Sequence, residues 1–258
     1  MEQNIRLVSN NPKSQYKIRI VTLDNFYLNI MNAQATEFFI KLLQVRAAGY
    51  GPDYPKHHLP MDSGDYVARH HIFCLEQSDG SLEAVSTYLV CDLSRYDYYH
   101  LQLPIVSLAK AVNVQPHIQA LDTLLDFHRK TNLNFSYAGG FTIKKEYRKD
   151  RELSKLMREL CIATVFDDFI RQNMACLMCV GVPRFKTELL WEQGGFNKMT
   201  WNGSVLEAMP KATAEGEPIL IMCSEKPSQW ALECREKYRD LLESRIVIDT
   251  KEEGEIAA

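Results

Sequence analysis

The sequence contains no long apolar run, and this absence argues against one broad class of protein. Its 258 residues include no stretch that approaches the roughly 18 apolar residues of a membrane-spanning helix. The first residues, MEQNIRLVSNNPKSQ, also lack the apolar centre of a secretory signal peptide. We therefore expect a cytoplasmic protein without a membrane span.

The chain also lacks an excess of positive charge. Its 30 Lys and Arg residues stand against 33 Asp and Glu residues, which gives a net charge of -3. No overall basic field is available to hold nucleic acid, so any charged ligand must be bound by a local cluster. We expect no nucleic-acid partner.

Regular cysteine spacing is absent as well. The seven cysteines are Cys74, Cys91, Cys161, Cys176, Cys179, Cys223 and Cys234. Most fall within apolar segments at irregular intervals, which favours buried free thiols over a disulfide framework. A C-x-x-C pair lies within a predicted strand, where residues three apart point to opposite faces and do not share one metal ion.

Two pairs of adjacent histidines, at 57–58 and 70–71, flank an acidic loop that contains Asp53, Asp62 and Asp65. Carboxylates and imidazoles do bind metal ions, but neighbouring histidines rarely ligate the same one. We interpret these histidines as polar loop residues and expect no bound metal.

What the chain does contain is an alternation of strand-like and helix-like segments. Strands are predicted at 16–22, 71–77, 82–91, 135–143, 174–182 and 218–223. Helices are predicted from Asn25 for about six turns and at 117–130, 151–171, 184–193 and 228–246. This order predicts a single domain over 1–258, with its core at 16–224, a helix at 228–246 and an acidic tail at 249–258. The fold class is α/β (α+β), a mixed central sheet covered by helices on both faces.

The segment from Gly49 to Arg69 interrupts this alternation. It is dense in Gly, Pro, His and Asp and has no usable period. Loops of this length inside a compact domain are usually functional or mobile. We interpret residues 49–69 as a lid or binding loop.

The strand FSYAGGFTI at 135–143 has one large and one small face. Phe135, Tyr137, Phe141 and Ile143 alternate with four small or polar residues. The pair Gly139-Gly140 suits a plain strand poorly and indicates a bulge or a splay that frees backbone groups. Either a ligand approaches the small face closely, or a helix packs tightly against it.

Five basic residues follow this strand and reach the start of the next helix. They are Lys144, Lys145, Arg148, Lys149 and Arg151, with Asp150 available as the N-cap. Unpaired backbone N–H groups and the helix dipole favour an anion at such a position, and arginine adds charge-assisted contacts. The cluster is either a phosphate site or a solvated basic surface.

These residues resemble a known family. FTIKKEYRKDRELSKLM, at 141–157, is similar to the acyl-CoA signature of the GNAT superfamily of N-acyltransferases. GVPRFKTELLWEQGGF, at 181–196, is similar to that superfamily's later motif, in which a helix ends in Gly-Phe. The resemblance implies a splayed GNAT-like sheet and direct attack by a small amine on an acyl thioester. The donor would be acyl-CoA or an acyl-phosphopantetheine on acyl carrier protein, used as a substrate, with no permanently bound cofactor.

The resemblance also implies roles for particular residues. The donor-binding positions would be Gly139, Gly140, Ile143, Arg148, Lys149, Arg151 and Ser154, with backbone N–H groups near Ile143 stabilising the oxyanion. The phosphate loop is one residue longer than usual, and Glu152 and Ser154 occupy the places expected for glycines. Trp191 stands where many members have the tyrosine that protonates the departing thiolate.

Among GNAT branches, the layout is most similar to the acyl-homoserine lactone synthases and N-acyl amino acid synthases. Members of that branch have a helix that ends in Arg, then an acidic loop and then two strands. This chain has the same order, with Arg46 at the end of a helix, an acidic loop with Asp62 and Asp65, and then two strands. Tyr137 and Gly140 stand where that branch usually has a Glu and an Arg. The layout implies a fatty-acyl donor and a long-chain N-acyl amino acid as product.

Amide formation needs a carboxylate near the thioester to take up a proton or to hold the acceptor's ammonium group. The candidates are Asp62 and Asp65 in the loop and Asp92 at the end of the second hairpin strand. Each could instead be a turn-former or a helix cap. The alternative function is a non-catalytic GNAT-like protein that binds acyl carrier protein or another ligand through 148–151.

Overall fold

Strands and helices alternate along residues 16–54, 61–210 and 216–249, which the computed structural model describes. The strands are β1 (Ile18–Asp24), β2 (Arg69–Glu76), β3 (Leu82–Asp92), β4 (Phe135–Ile143), β5 (Cys176–Gly181), β6 (Asn197–Lys198), β7 (Thr200–Trp201), β8 (Ser204–Val205), β9 (Leu220–Ser224) and β10 (Ile246–Ile248). The helices are α1 (Ala33–Tyr50), α2 (Leu93–Tyr98), α3 (Pro104–Ala111), α4 (Gln115–Thr131), α5 (Arg151–Arg171), α6 (Thr187–Gly194), α7 (Gln229–Lys237) and α8 (Arg239–Glu243). Short 3-10 helices cover Ser63–Tyr66, Lys145–Lys149 and Pro183–Phe185.

One eight-stranded mixed sheet forms the centre of the molecule, in the order β10-β1-β2-β3-β4-β5-β9-β6. The β1/β10 and β4/β5 pairs are parallel, and the other neighbours are antiparallel. Because β4 and β5 are parallel, the chain must cross over between them, and α5 makes that crossover.

Helices cover both faces of the sheet. On one face α5 and α7 pack over a core that includes Ile20, Phe73 and Ala138. On the other face lie α1 and the α2–α4 region, over cores that include Ile72 and Tyr137. The predicted fold class, a mixed central sheet with helices on both faces, is confirmed.

The predicted helix from Asn25 begins later than its apolar spacing indicates. Asn25 adopts a left-handed conformation with φ 47°, and the buried Asn29 side chain donates hydrogen bonds to the carbonyls of Asp24 and Asn25. These contacts hold 26–31 as turns. The helix starts only after Asn32, whose side chain accepts from the backbone N–H groups of Gln34 and Ala35.

The predicted helix at 228–246 is wrong at its C-terminal end. Two shorter helices, α7 and α8, meet at Tyr238, and the chain then forms β10, which pairs in parallel with Val21–Leu23 of β1. Ile246, Val247 and Ile248 are β-branched, which suits them to a strand once a sheet edge is available. Of the predicted acidic tail, all but Asp249 lies outside the described residues.

The seven cysteines are free, six of them buried and Cys223 half-buried, so the predicted free thiols are confirmed. No helix within the described ranges is both long enough and apolar enough to cross a membrane.

Candidate functional site

Gly140 bends β4 away from regular pairing with β3. Thr87 pairs with Thr142 and Leu89 pairs with Gly139, so Tyr88 alone opposes both Gly140 and Phe141. Gly140 has a φ of 67°, and a Cβ atom there would come within 2.8 Å of the Arg46 guanidinium. The predicted bulge is confirmed, and α1 lies directly behind it.

Beyond their first residues β4 and β5 separate. They pair only through Phe135–Tyr137 and Cys176–Met178. Past that point the strands diverge and leave a cleft of about 810 Å³. The β4 wall of this cleft runs from Ala138 to Ile143, and Val180 and Val182 lie on the opposite side. The predicted splay is therefore present.

Apolar side chains form much of the cleft. Phe141 of β4 and Trp191 of α6 meet edge to face, with ring centroids 6.4 Å apart. The indole N–H of Trp191 donates to the carbonyl of Val180 at 3.1 Å. Trp191 lines the cleft, but its N–H is committed to β5, and an indole does not supply a proton as a phenol can.

The end of α1 is tied to the end of β4. The Tyr50 hydroxyl donates to the carbonyl of Phe141 at 2.9 Å, and burial raises the pKa of Tyr50 to about 12. Arg148 donates to the carbonyl of Ile143 at 2.9 Å, to Asp53 at 2.6 Å and to the carbonyl of Gly49. The predicted phosphate ligand Arg148 is thus engaged by the protein's own acceptors.

The first part of the predicted lid also reaches the β5 side of the cleft. Tyr54 donates to Glu217 at 3.0 Å and contacts the ring of Phe185 edge on. Arg184 forms an ion pair with the same Glu217. Residues 50–54 therefore span the mouth of the cleft. The rest of the predicted lid has two parts. Residues 55–60 lie outside the described residues, and the remainder is the 3-10 helix Ser63–Tyr66 with its flanks.

The predicted phosphate loop enters α5 as expected but carries its own anion. Asp150 is the N-cap, and its carboxylate accepts from the Leu153 amide at 2.9 Å and from the Tyr16 hydroxyl. The Leu153 contact, followed by the Tyr16 contact, holds the pKa of Asp150 below its ordinary value. Ser154 lines the cleft, whereas Lys149 and Arg151 are exposed residues outside its lining.

Two of the three candidate carboxylates lie together. Asp65 is buried, forms an ion pair with Arg46 at 2.6 Å and accepts from the backbone N–H of Asp62 at 2.7 Å. Burial, and next the charge of Asp65, raise the pKa of Asp62. Since Arg46 also lies against Gly140, this group sits behind the bulge. Asp92 lies apart from it, at the far end of β3, where it accepts from Ser136.

His70 and His71 are buried residues of β2, so their interpretation as loop residues is wrong. His71 lies 3.0 Å from the Thr22 hydroxyl and donates to Asp168 at 2.6 Å. Burial lowers the pKa of His70 to about 4. Both histidines lie within the sheet because β2 pairs at His70 and His71 with a strand on each side, β1 and β3. His57 and His58 lie outside the described residues.

Sequence reasoning missed several residues that line the cleft. Tyr50 reaches it from the end of α1, and Asp53 and Tyr54 reach it from the turn that follows, contacts with no short-range signal. Lys155 and Arg158 reach it from α5, and Lys186 reaches it from the N-cap position before α6. Lys155 lies within the segment 141–157 and Arg158 directly follows it, and their three-residue spacing places both on one helix face, which could have drawn attention to them.

Comparison with known proteins gives similarity of fold only. No protein-family model matches the chain, and no curated protein matches it. The solved structure of FeeM, an N-acyl amino acid synthase from uncultured soil microbes, is similar at 9% identity over 86% of this chain and 95% of that one, with a TM-score of 0.47. The ribosomal-protein-S18-alanine N-acetyltransferase of Escherichia coli is similar at 12% identity over 82% and 94%, with a TM-score of 0.42. A Drosophila melanogaster polyamine N-acetyltransferase has 13% identity over 80% and 100%, with a TM-score of 0.38.

Proposed function

We propose that this protein is an N-acyltransferase that moves an acyl group from a phosphopantetheine thioester to an amine. The observation that carries the proposal is the cleft between β4 and β5, where a strand edge from Ala138 to Ile143 faces about 810 Å³ of space. An extended, amide-containing pantetheine arm can add to such an edge in the way that a peptide adds to a sheet. The apolar walls suit the aliphatic parts of the arm.

The reaction needs only positioning, charge stabilisation and proton transfer. The amine nitrogen attacks the thioester carbonyl, a C–N bond forms, the C–S bond breaks and the thiolate leaves. Backbone N–H groups of β4 near Ile143 are proposed to stabilise the developing oxyanion. No covalent enzyme intermediate is required, because the cleft holds donor and acceptor together.

Asp62 is the proposed proton acceptor for the amine. Asp62 does not line the cleft; its carboxylate caps the 3-10 helix Ser63–Tyr66 behind the Gly140 bulge and accepts from the Gly64 amide. Its raised pKa makes it a stronger base than an ordinary aspartate. Asp65 is the proposed positioning residue, since it accepts from the Asp62 backbone and is charge-compensated by Arg46. Asp92 is less suited to either role because its position at the far end of β3 separates it from the bulge.

For the donor, we favour a long acyl chain on acyl carrier protein over acyl-CoA. The N-terminus of α5 already binds Asp150, and the adjacent Glu152 repels a pyrophosphate. Lys145, Lys149 and Arg151 are exposed, so an acidic carrier protein could contact them from outside the cleft. A non-catalytic donor-binding protein is the second candidate, favoured by the commitment of the Trp191 N–H to Val180.

A thiol-release assay separates these functions. The full chain is incubated with acyl-CoA and acyl carrier donors of several lengths and with pooled amino acids and other small amines. Catalysis predicts amine-dependent thiol release, whereas the second candidate predicts donor binding without release. Absence of both release and donor binding would contradict the proposed function.

The role of Asp62 has its own control. Asp62→Asn should lower amine-dependent turnover by about 100-fold or more, in the range of general base catalysis, and leave donor affinity unchanged. Asp79→Asn, in the exposed β2–β3 turn, is the matched variant and should retain turnover. Equal activity of the two variants would remove Asp62 from the mechanism.

A further inference from the structure

Three cations line the cleft away from the predicted phosphate loop. Lys155 and Arg158 lie on α5, and Lys186 lies at the start of α6. Because Lys155 and Arg158 are three residues apart on one helix, they share a face. Lys186 has a φ of 55°, a left-handed conformation that is uncommon for a residue with a long side chain. The cleft is thus flanked by positive charge from two elements.

These cations have little competition from the protein's own carboxylates. Among the described residues, neither Arg158 nor Lys186 forms an ion pair. Lys155 lies 3.8 Å from Glu159, but that carboxylate is closer to Lys237 and Tyr238, each at 2.6 Å. All three cations are exposed, so their side chains can reorient towards an anion.

The predicted phosphate loop is less available. Asp150 occupies the Leu153 amide, and Arg148 is engaged by Ile143, Asp53 and Gly49. Lys149 and Arg151 do not line the cleft. An anion at the start of α5 would therefore meet a filled N-cap, whereas an anion further along α5 meets the three cations.

We propose that Lys155, Arg158 and Lys186 form the phosphate site of the cleft, which binds the 4′-phosphate of a pantetheine arm. This inference rests on the proposed function, since it assigns one group of the same donor. Arginine and lysine bind phosphate through charge-assisted hydrogen bonds. This assignment places the phosphate at the second turn of α5 and the start of α6, instead of at the predicted loop before α5.

Calorimetry with two unreactive probes tests the site. The probes are S-alkyl thioether analogues of the acyl-pantetheine thioester, one with and one without the 4′-phosphate, and each is titrated into the full chain. In the unsubstituted protein the phosphate should strengthen binding about tenfold or more. The triple variant Lys155→Gln, Arg158→Gln, Lys186→Gln should lose that increment and bind the probe without phosphate as before.

The matched control carries three equivalent changes at exposed cations of other elements: Lys110→Gln, Lys130→Gln and Arg239→Gln. It should keep the full phosphate increment. The inference is overturned if the triple cleft variant keeps the increment, or if Lys149→Gln with Arg151→Gln abolishes it instead. Failure of both probes to bind the unsubstituted protein would contradict the proposed function itself, so the two failures are distinguishable.

Discussion

Gly140 turns β4 out of regular pairing at the point where the cleft begins. Its φ of 67° suits glycine, and the Arg46 guanidinium fills the space where a Cβ would lie, 2.8 Å away. Gly80, in the β2–β3 turn, has a similar φ of 82° but nothing within 4 Å of a Cβ. A comparison of substitutions at the two glycines therefore separates two contributions to the loss of folding free energy, the left-handed backbone conformation and the contact with Arg46.

Alanine at these two positions should give different losses of stability. Gly80→Ala should lower the free energy of unfolding by about 1–2 kcal/mol, the cost of a left-handed conformation. Gly140→Ala should lower it further because Arg46 and its partner Asp65 must move. Urea denaturation measures both. Equal losses would show that Arg46 yields to a Cβ without cost.

Arg148 is a structural residue of the cleft mouth as well as a predicted donor ligand. Arg148→Ala removes its bonds to Ile143, Asp53 and Gly49 and should lower the free energy of unfolding by about 1.5–3 kcal/mol, the value of one charged hydrogen bond or more. Arg151→Ala, at an exposed position, should change it little. Denaturant titration of the two variants tests the difference, and similar stabilities would contradict the role of Arg148 as a tie between α1 and β4.

At the scale of elements, the C-terminal half of α5 holds a buried charge against the sheet. Asp168 lies 2.6 Å from His71 of β2 and 3.5 Å from Arg245, which precedes β10. Burial alone would raise the pKa of Asp168, but His71, then Arg69 and Arg245, hold it below the ordinary value. The charged form is therefore the one that the folded state stabilises.

This network should make stability depend on pH. A carboxyl whose folded pKa lies below its unfolded value contributes stability above about pH 5 and loses it as the pH falls through 3.8 and below. Asp168→Asn should therefore be less stable than the unsubstituted protein at pH 7, and the gap should narrow towards pH 3. Asp122→Asn, at an exposed position of α4, should show no such gap. A gap that stays constant with pH would contradict the assignment.

The elements that could be predicted from sequence were those specified by their own residues. The strand at 135–143 and the helix at 151–171 have the predicted bounds, because apolar residues run through both segments and polar residues flank them. The bulge at Gly140 breaks the predicted alternation of the strand, since Phe135 and Tyr137 pack on one face of the sheet and Ile143 packs on the other. The cleft mouth could not be predicted, because Arg148 meets Asp53 and Tyr50 meets Phe141 across more than 90 residues of chain. The end of the last helix failed for a similar reason, since Ile246–Ile248 becomes a strand only beside β1.

At the scale of the whole molecule, the seven thiols report on the integrity of the core. They lie in β2, β3, α5, β5, β9 and α7, and burial raises the pKa of Cys74 to about 12 and that of Cys234 to about 11. An aromatic disulfide reagent should label few thiols in the native protein and all seven in denaturant. Fast native labelling of several thiols would contradict the packed core on both sheet faces.

The position of the donor is the central claim, and photolabelling tests it most directly. The probe is an S-alkyl thioether analogue of the acyl-phosphopantetheine thioester, with a photoreactive group on its alkyl chain. It is crosslinked to the full chain, and the sites of the adducts are mapped by mass spectrometry. We predict adducts on 138–143 of β4 and on 180–191 around β5 and α6, the walls of the 810 Å³ cleft, and suppression by excess unlabelled probe. Adducts confined to the smaller cavity of about 240 Å³ beside Asp168 and Arg245, or labelling that excess probe does not suppress, would contradict the account.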